Sequence, residues 1–344
     1  MGSRAKPTKA YSWEKLSDED LLRLRLCDLD LKFKGSTIEP LIEKLLRELR
    51  NRGLLFTPHF WYSAEWFTPD GIPGIAVPFY LAHPRLMELD RNLMKGTLPE
   101  TPDFSLRVLR HEAGHAIENA FRLRSLPEVQ AVFGRSSQRY PRYYSPMPYS
   151  RRFVTNLGQG YAQSHPDEDF AETFAIWLTP RSEWREKYAG WPALRKLEFM
   201  DWLMKAIAGK EPLVRNARTI DALPRLRLQL RTHYRRQRRH FMLDVPEVDR
   251  RLRALFRESD APRASMTADA FLRRIKPKLS RQVSELSGEP KYRVDRVVDE
   301  MIFRSRNLKL RVSPSRLPLK GGVPPALTNN AIRFLRAGLY RIAI

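Results

Sequence analysis

The sequence has one cysteine, Cys27, among 344 residues. No internal disulfide can form, so the fold must rest on packing and polar contacts. No segment approaches the roughly 20 consecutive apolar residues that a bilayer-spanning helix needs, and no membrane partner is expected. The first thirty residues carry Lys, Asp and Glu throughout and lack the apolar stretch of a secretory leader. The sixth position is Lys6 rather than Ser or Thr, which argues against N-myristoylation. Internal repeats, a P-loop and a G-x-G-x-x-G run are all missing, which excludes solenoids and the commonest phosphate cradles. Taken together, these absences lead us to expect a reduced, cytoplasmic protein.

What is present is a globular composition, 42% hydrophobic and 10% aromatic, enough apolar surface to bury a core. The formal net charge is +23, and it is unevenly spread. Residues 1–205 carry a net charge of +4 and residues 206–344 a net charge of +19. Such asymmetry points to a polyanionic partner, with nucleic acid the first candidate.

The chain is expected to divide into a basic tail without order at 1–12, a domain at 13–205, and a basic, mainly helical domain at 206–344. Periodicity predicts helices over 17–31 and 37–51, the second carried by Leu41, Leu45 and Leu49 and stopped by Gly53. Aromatic and β-branched residues then take over between 54 and 82, broken by a turn at Thr68-Pro69-Asp70-Gly71. The best strand candidate there is 74–81, where Pro78 suits an edge strand. A helix capped by Asp103 or Ser105 should reach Leu123, and a second should run from Asp167 to Leu178. Further helices are expected at 193–209, 245–258, 267–286 and 292–306, with 309–325 irregular before a short final helix. The fold class is therefore α+β, predominantly helical.

His111-Glu112-Ala113-Gly114-His115 fits H-E-x-x-H. Two histidines four apart share one helix face, so their imidazoles converge on one point suited to Zn²⁺. Glu112 projects beside that point, where it can take a proton from a zinc-bound water. Adjacent His and Glu in the apolar stripe of Leu106, Leu109, Ala113 and Ile117 would be costly in a core without a ligand. A catalytic zinc also needs a third protein ligand. Glu168 and Glu172, again four apart, lie on a helix that Phe170, Phe174 and Trp177 mark as buried. One of them can bind metal while the other orients a metal-bound histidine. Asp167 and Asp169 read as an acidic first turn.

The pairing of H-E-x-x-H with a downstream E-x-x-x-E resembles the gluzincin metallopeptidases. The wording of Tyr161 … Glu168-Asp-Phe-Ala-Glu172 is similar to the catalytic domain of anthrax lethal factor and to the Mlc titration factor A peptidases. The resemblance spans about residues 75–180. It implies a zincin-like fold, a small sheet whose edge strand lies above the H-E-x-x-H helix, and one Zn²⁺ per chain. It also implies His111, His115 and Glu168 as ligands, Glu112 as general base, Glu172 behind a ligand histidine, and Tyr161 facing the oxyanion. Asp169 and Thr173 depart from the residues common there, and substrate specificity does not carry over.

Among the remaining candidates, His165 stands three residues before Glu168 and could serve as an oxyanion donor or an alternative ligand. His59 and His83 sit among aromatics and prolines and read as packing residues, as does Cys27, which has no histidine partner nearby. Tyr143 and Tyr144 fall in the loop between the two motifs, where they could rim a cleft. Thr232–His240 is the densest basic run; it could contact phosphates, with His233 or Tyr234 stacking on a base, although a charge run is usually a solvated helix face. The expected activity is zinc-dependent hydrolysis of a peptide bond, on a substrate steered in by its acidity. The alternative is a nucleic-acid-binding or regulatory protein in which the zincin domain is a sensor or inactive.

Overall fold

The computed structural model describes residues 11–94, 101–141, 143–158, 160–240, 246–257, 266–312, 323–337 and 342–343. The stretch 1–10 of the expected tail and most of the expected irregular segment 309–325 lie outside them. The chain forms two compact units, one of Met1–Pro141 with Tyr149–Arg238 and one of Arg142–Pro148 with Arg239–Ile344. Residues 206–238, which the charge groups with the C-terminal half, thus lie in the first unit.

The described elements are, in order, α1 (Asp18–Leu21), α2 (Glu39–Asn51), β1 (His59–Ser63), β2 (Gly74–Pro78), α3 (Pro84–Leu93), α4 (Pro102–Phe121), α5 (Pro127–Phe133) and β3 (Tyr143–Tyr144). They continue as α6 (Pro166–Leu178), α7 (Trp184–Lys187), α8 (Ala193–Ile207), α9 (Leu230–His240), α10 (Pro246–Leu255), α11 (Ala268–Ser287), α12 (Lys291–Asn307), α13 (Pro325–Arg336) and β4 (Ile342–Ala343). The fold is predominantly helical, and the described strands form two small two-stranded sheets, β1 with β2 and β3 with β4.

The first unit departs from the sequence expectation at its N-terminus. Instead of one helix over 17–31 there is α1 and a separate 3-10 turn, Leu26–Leu29. The Leu26 and Cys27 amides donate to the Leu228 and Leu226 carbonyls at 2.9 and 3.0 Å, and the Leu230 amide donates to Leu24. Those bonds to a distant segment replace the helical ones, and the periodic pattern alone could not show it.

β1 and β2 pair in parallel, His59 opposite Gly74 through Ser63 opposite Pro78. Pro78 has no amide to extend the ladder, and residues Phe79–Ala82 turn into a 3-10 helix, so the strand is shorter than the expected 74–81. Every residue of β2 is buried. On the side away from β1, its Ala76 amide donates to the Phe67 carbonyl at 2.9 Å. Phe67 thus meets that edge of β2 at Ala76.

After α8 the chain returns as a strap over the first unit. The Leu213 and Val214 amides donate to the Ala120 carbonyl, and Asn216 Nδ2 donates to the Gly71 carbonyl. The Arg218, Ile220 and Asp221 carbonyls meet the side chains of His59, Trp61 and Ser63. α9 then buries His233, Tyr234 and Gln237 while Arg231, Arg235 and Arg236 stay exposed. The stacking role imagined for His233 and Tyr234 is therefore corrected: both rings pack against Phe79, and burial pushes His233 down to about 4.

In the second unit, α11 and α12 are joined through Gly288, whose φ of +72° ends the first helix. Phe271, Leu279, Val294, Val298, Met301 and Phe334 belong to one core shared by α11, α12 and α13. Among the described residues no helix is long and apolar enough to cross a membrane.

Candidate metal centre

Two helices build the centre. α4 starts where Thr101 Oγ1 accepts from the Phe104 amide, so the cap is Thr101 rather than Asp103 or Ser105. α6 starts at His165, whose Nδ1 accepts from the Asp167 amide at 3.2 Å. The helices touch where Gly114 faces Ala171. That contact brings His111 and His115 of α4 against Glu168 and Glu172 of α6. Every one of these four residues is buried.

The donor atoms converge. His111 Nε2 lies 2.9 Å from Glu168 Oε2, His115 Nε2 lies 3.3 Å from the same oxygen, and the two Nε2 atoms are 3.1 Å apart. Ligand atoms held about 2.0–2.1 Å from a tetrahedral zinc stand roughly 3.3 Å from one another. Two imidazole nitrogens and a carboxylate oxygen at that spacing therefore fit the ion. His111, His115 and Glu168 together can hold a metal.

Glu172 stands behind His111, with Oε1 3.0 Å from His111 Nδ1. A proton on Nδ1 satisfies that bond, so Nε2, which faces Glu168 and His115, is the nitrogen able to bind a metal once the ring is neutral. Asn156 fixes Glu172 in turn. Its amide donates to Oε2 at 3.0 Å and its Nδ2 to Oε1 at 3.1 Å, and the Leu157 amide donates to Oε2 at 3.1 Å.

Glu112 is placed from the other side. Thr68 Oγ1 lies 2.9 Å from Glu112 Oε2 and donates to it. Thr68 opens the Thr68–Gly71 turn, which Asn119 clamps to α4. Asn119 Oδ1 accepts from the Gly71 amide at 3.1 Å, and its Nδ2 donates to the Pro69 and Ile72 carbonyls at 2.9 and 3.0 Å. One α4 residue thus holds the loop that aims the carboxylate of another.

The electrostatics follow from burial and these partners. Burial alone would lower His111, but hydrogen bonds and charge from Glu168 and Glu172 outweigh it and push the ring up to about 10. His115 is raised for the same reason, chiefly by Glu168 against the burial cost. Burial lifts Glu112, and the charges on His111 and His115 hold that rise back. Burial would also lift Glu168, yet the two histidines hold it well below the carboxylate range.

Tyr161 sits in a 3-10 turn, Tyr161–Gln163, with its ring 5.5 Å from that of His111. His165 is where a correction is needed. Its Nδ1 accepts from the Asp167 amide, so its proton is on Nε2, which donates to the Gln138 carbonyl at 2.9 Å. Both ring nitrogens are committed to backbone, and the ring is the cap of α6 rather than an oxyanion donor or a ligand. The acidic first turn is not solvated: Asp167 is buried beside Arg124 and bonded to Ser136, and Asp169 pairs with Lys196 at 2.5 Å. Tyr144 belongs to the short β3–β4 pairing of the second unit. His83 caps α3, its Nδ1 accepting from the Arg85 amide.

Sequence reasoning missed Tyr140. Its hydroxyl donates to Glu168 Oε1 at 3.0 Å, and its ring stacks on His165 with centroids 3.7 Å apart. Loss of water around the hydroxyl, with the Glu168 charge beside it, holds the phenol far above its ordinary range although the residue is 43% exposed, so the hydroxyl keeps its proton. Thr68, Asn119 and Asn156 were missed as well. None has a motif to mark it, because each is far in sequence from the carboxylate or loop it serves.

The site is a buried His-His-Glu donor set that could hold a metal ion. Residues 88–188, which contain all three donors, match the family model described as "Putative zinc-binding metallo-peptidase". No curated protein and no solved structure matches the chain. The likeness to lethal factor and the Mlc titration factor A peptidases therefore rests on the two motifs alone.

Proposed function

We propose that the chain is a zinc-dependent peptidase of gluzincin type, with His111, His115 and Glu168 holding one zinc ion. The observation that carries this reading is the convergence of the three donor atoms within 4.8 Å of one another, inside the segment that matches a zinc-binding peptidase family. A zinc ion bound there supplies Lewis acidity, polarising a scissile carbonyl and lowering the pKa of water towards ~7.

The chain's own residues supply the rest. Glu112, aimed by Thr68, takes a proton from the attacking water and later gives it to the leaving amine. Its burial suits that task, because burial raises the carboxyl and makes it a better proton acceptor than an exposed one. Tyr161 donates to the developing oxyanion. Glu172 keeps His111 in the tautomer that leaves Nε2 free to bind metal. The substrate is a peptide or protein, and the net charge of +23 favours an acidic one.

Zinc content of the wild type and of His111→Ala, measured with peptide hydrolysis by Glu112→Gln, tests the reading. Stoichiometric zinc in the wild type, its loss in His111→Ala, and zinc without turnover in Glu112→Gln are expected. A wild-type protein that binds no zinc, or a Glu112→Gln variant at full rate, would overturn it.

A further inference from the structure

The carboxylate of Glu168 has two oxygens, and the structure gives them different partners. Oε2 faces His111 and His115, at 2.9 and 3.3 Å. Oε1 accepts from Tyr140 Oη at 3.0 Å. A carboxylate can bind a metal through one oxygen or through both. A hydrogen bond to one oxygen opposes the second arrangement, because moving that oxygen to the metal gives up a charge-assisted bond.

Tyr140 is well placed to apply that constraint. Its ring is stacked nearly parallel to His165, at 16°. His165 caps α6 and holds the Gln138 carbonyl, while Ser136 bonds to Asp167. The segment that carries Tyr140 is thus fastened to the first turn of the helix that carries Glu168. The phenol has only its own torsions to lose when it makes the bond, and stacking already restricts them.

The geometry points to Tyr140 as a positioning residue that holds Glu168 to one-oxygen coordination of the metal and raises the affinity of the site. This inference rests on the zinc reading above. It adds a residue that neither motif contains, outside the ligands, the general base and Tyr161.

The test is direct metal binding, without substrate, by the full-length chain. Tyr140→Phe keeps the ring on His165 and removes only the hydroxyl. Removing a hydrogen bond to a metal ligand typically costs 10–100-fold in affinity, and a loss in that range is expected in competition with a chromophoric chelator. The cobalt-substituted variant should also show a weaker visible absorption band than the wild type, as a fifth ligand atom joins the ion. Arg139→Ala, at an exposed neighbour in the same segment, should bind zinc as the wild type does. Equal zinc affinity and equal cobalt spectra for wild type and Tyr140→Phe would overturn the assignment while leaving the metal centre intact. An equal loss in Arg139→Ala would also overturn it, assigning the effect to the segment at large and not to the Tyr140 hydroxyl. A wild type without zinc would remove the metal reading and this inference together.

Discussion

Gly114 and Ala171 meet backbone to backbone where α4 crosses α6: a Cβ placed on Gly114 would stand 2.9 Å from the Ala171 Cα and 3.3 Å from its Cβ. Gly114 lies between the two histidines and Ala171 between the two glutamates. The closeness of this one crossing sets the distance over which the four polar side chains reach each other.

Gly114→Ala should therefore harm both fold and site, although Ala ordinarily favours a helix by up to about 1 kcal/mol over Gly. The new methyl meets backbone, which cannot rotate away, and overpacking of this kind costs typically about 1–3 kcal/mol. Chemical denaturation should show a loss of that size and chelator competition a weaker zinc site. A variant more stable than the wild type with unchanged zinc affinity would show that the crossing is not tight.

A second prediction concerns the residue just before the first histidine. Arg110 Nε and one terminal nitrogen donate to the two carboxylate oxygens of Glu48, both at 2.7 Å, with both side chains buried. This fork ties α4 to α2. Arg110→Met should cost about 3–5 kcal/mol, because it strands a buried carboxylate. The double change Arg110→Met with Glu48→Leu should recover most of that loss. Urea unfolding of the single and double variants reads both, and an additive double variant would rule out the coupling.

The metal-free protein should have a distinct dependence on pH. His111 is raised from the ordinary histidine value near 6.5 to about 10. A raised histidine stabilises the folded state fully below its unfolded pKa, and that contribution is lost as pH rises through the folded value. Chelator-stripped protein should thus lose thermal stability between about pH 6.5 and 10. Zinc binding runs the other way, since the ion requires a neutral imidazole and must displace this proton. Zinc affinity should rise over the same interval. Calorimetric titration in buffers of different ionisation enthalpy would count the released protons, and a count of zero at pH 7 would contradict the protonated His111.

Much of the site was legible in the sequence because its donors come in pairs four residues apart. A spacing of four fixes a shared helix face whatever surrounds the helix, so His111 with His115 and Glu168 with Glu172 could each be read locally. The helix ends were legible where a turn residue stops the chain, as at Gly53. The 17–31 region was misread because its amides pair with residues 226–230, a partner that no local pattern announces. His165 was misread for a related reason. A histidine beside an acidic helix start looks catalytic until both its nitrogens are seen to be engaged with backbone.

The sequence by itself determined which atoms are able to bind a metal, since residue type and helical period decide that within a single turn. Tertiary structure decided the rest: that the two helices approach closely enough for the pairs to meet, and that Asn156, Thr68 and Tyr140 arrive from loops to orient them. The physical reason is that a helix positions its side chains through local hydrogen bonds. A second helix, or a loop hydroxyl, reaches a carboxylate only once the chain between them has packed.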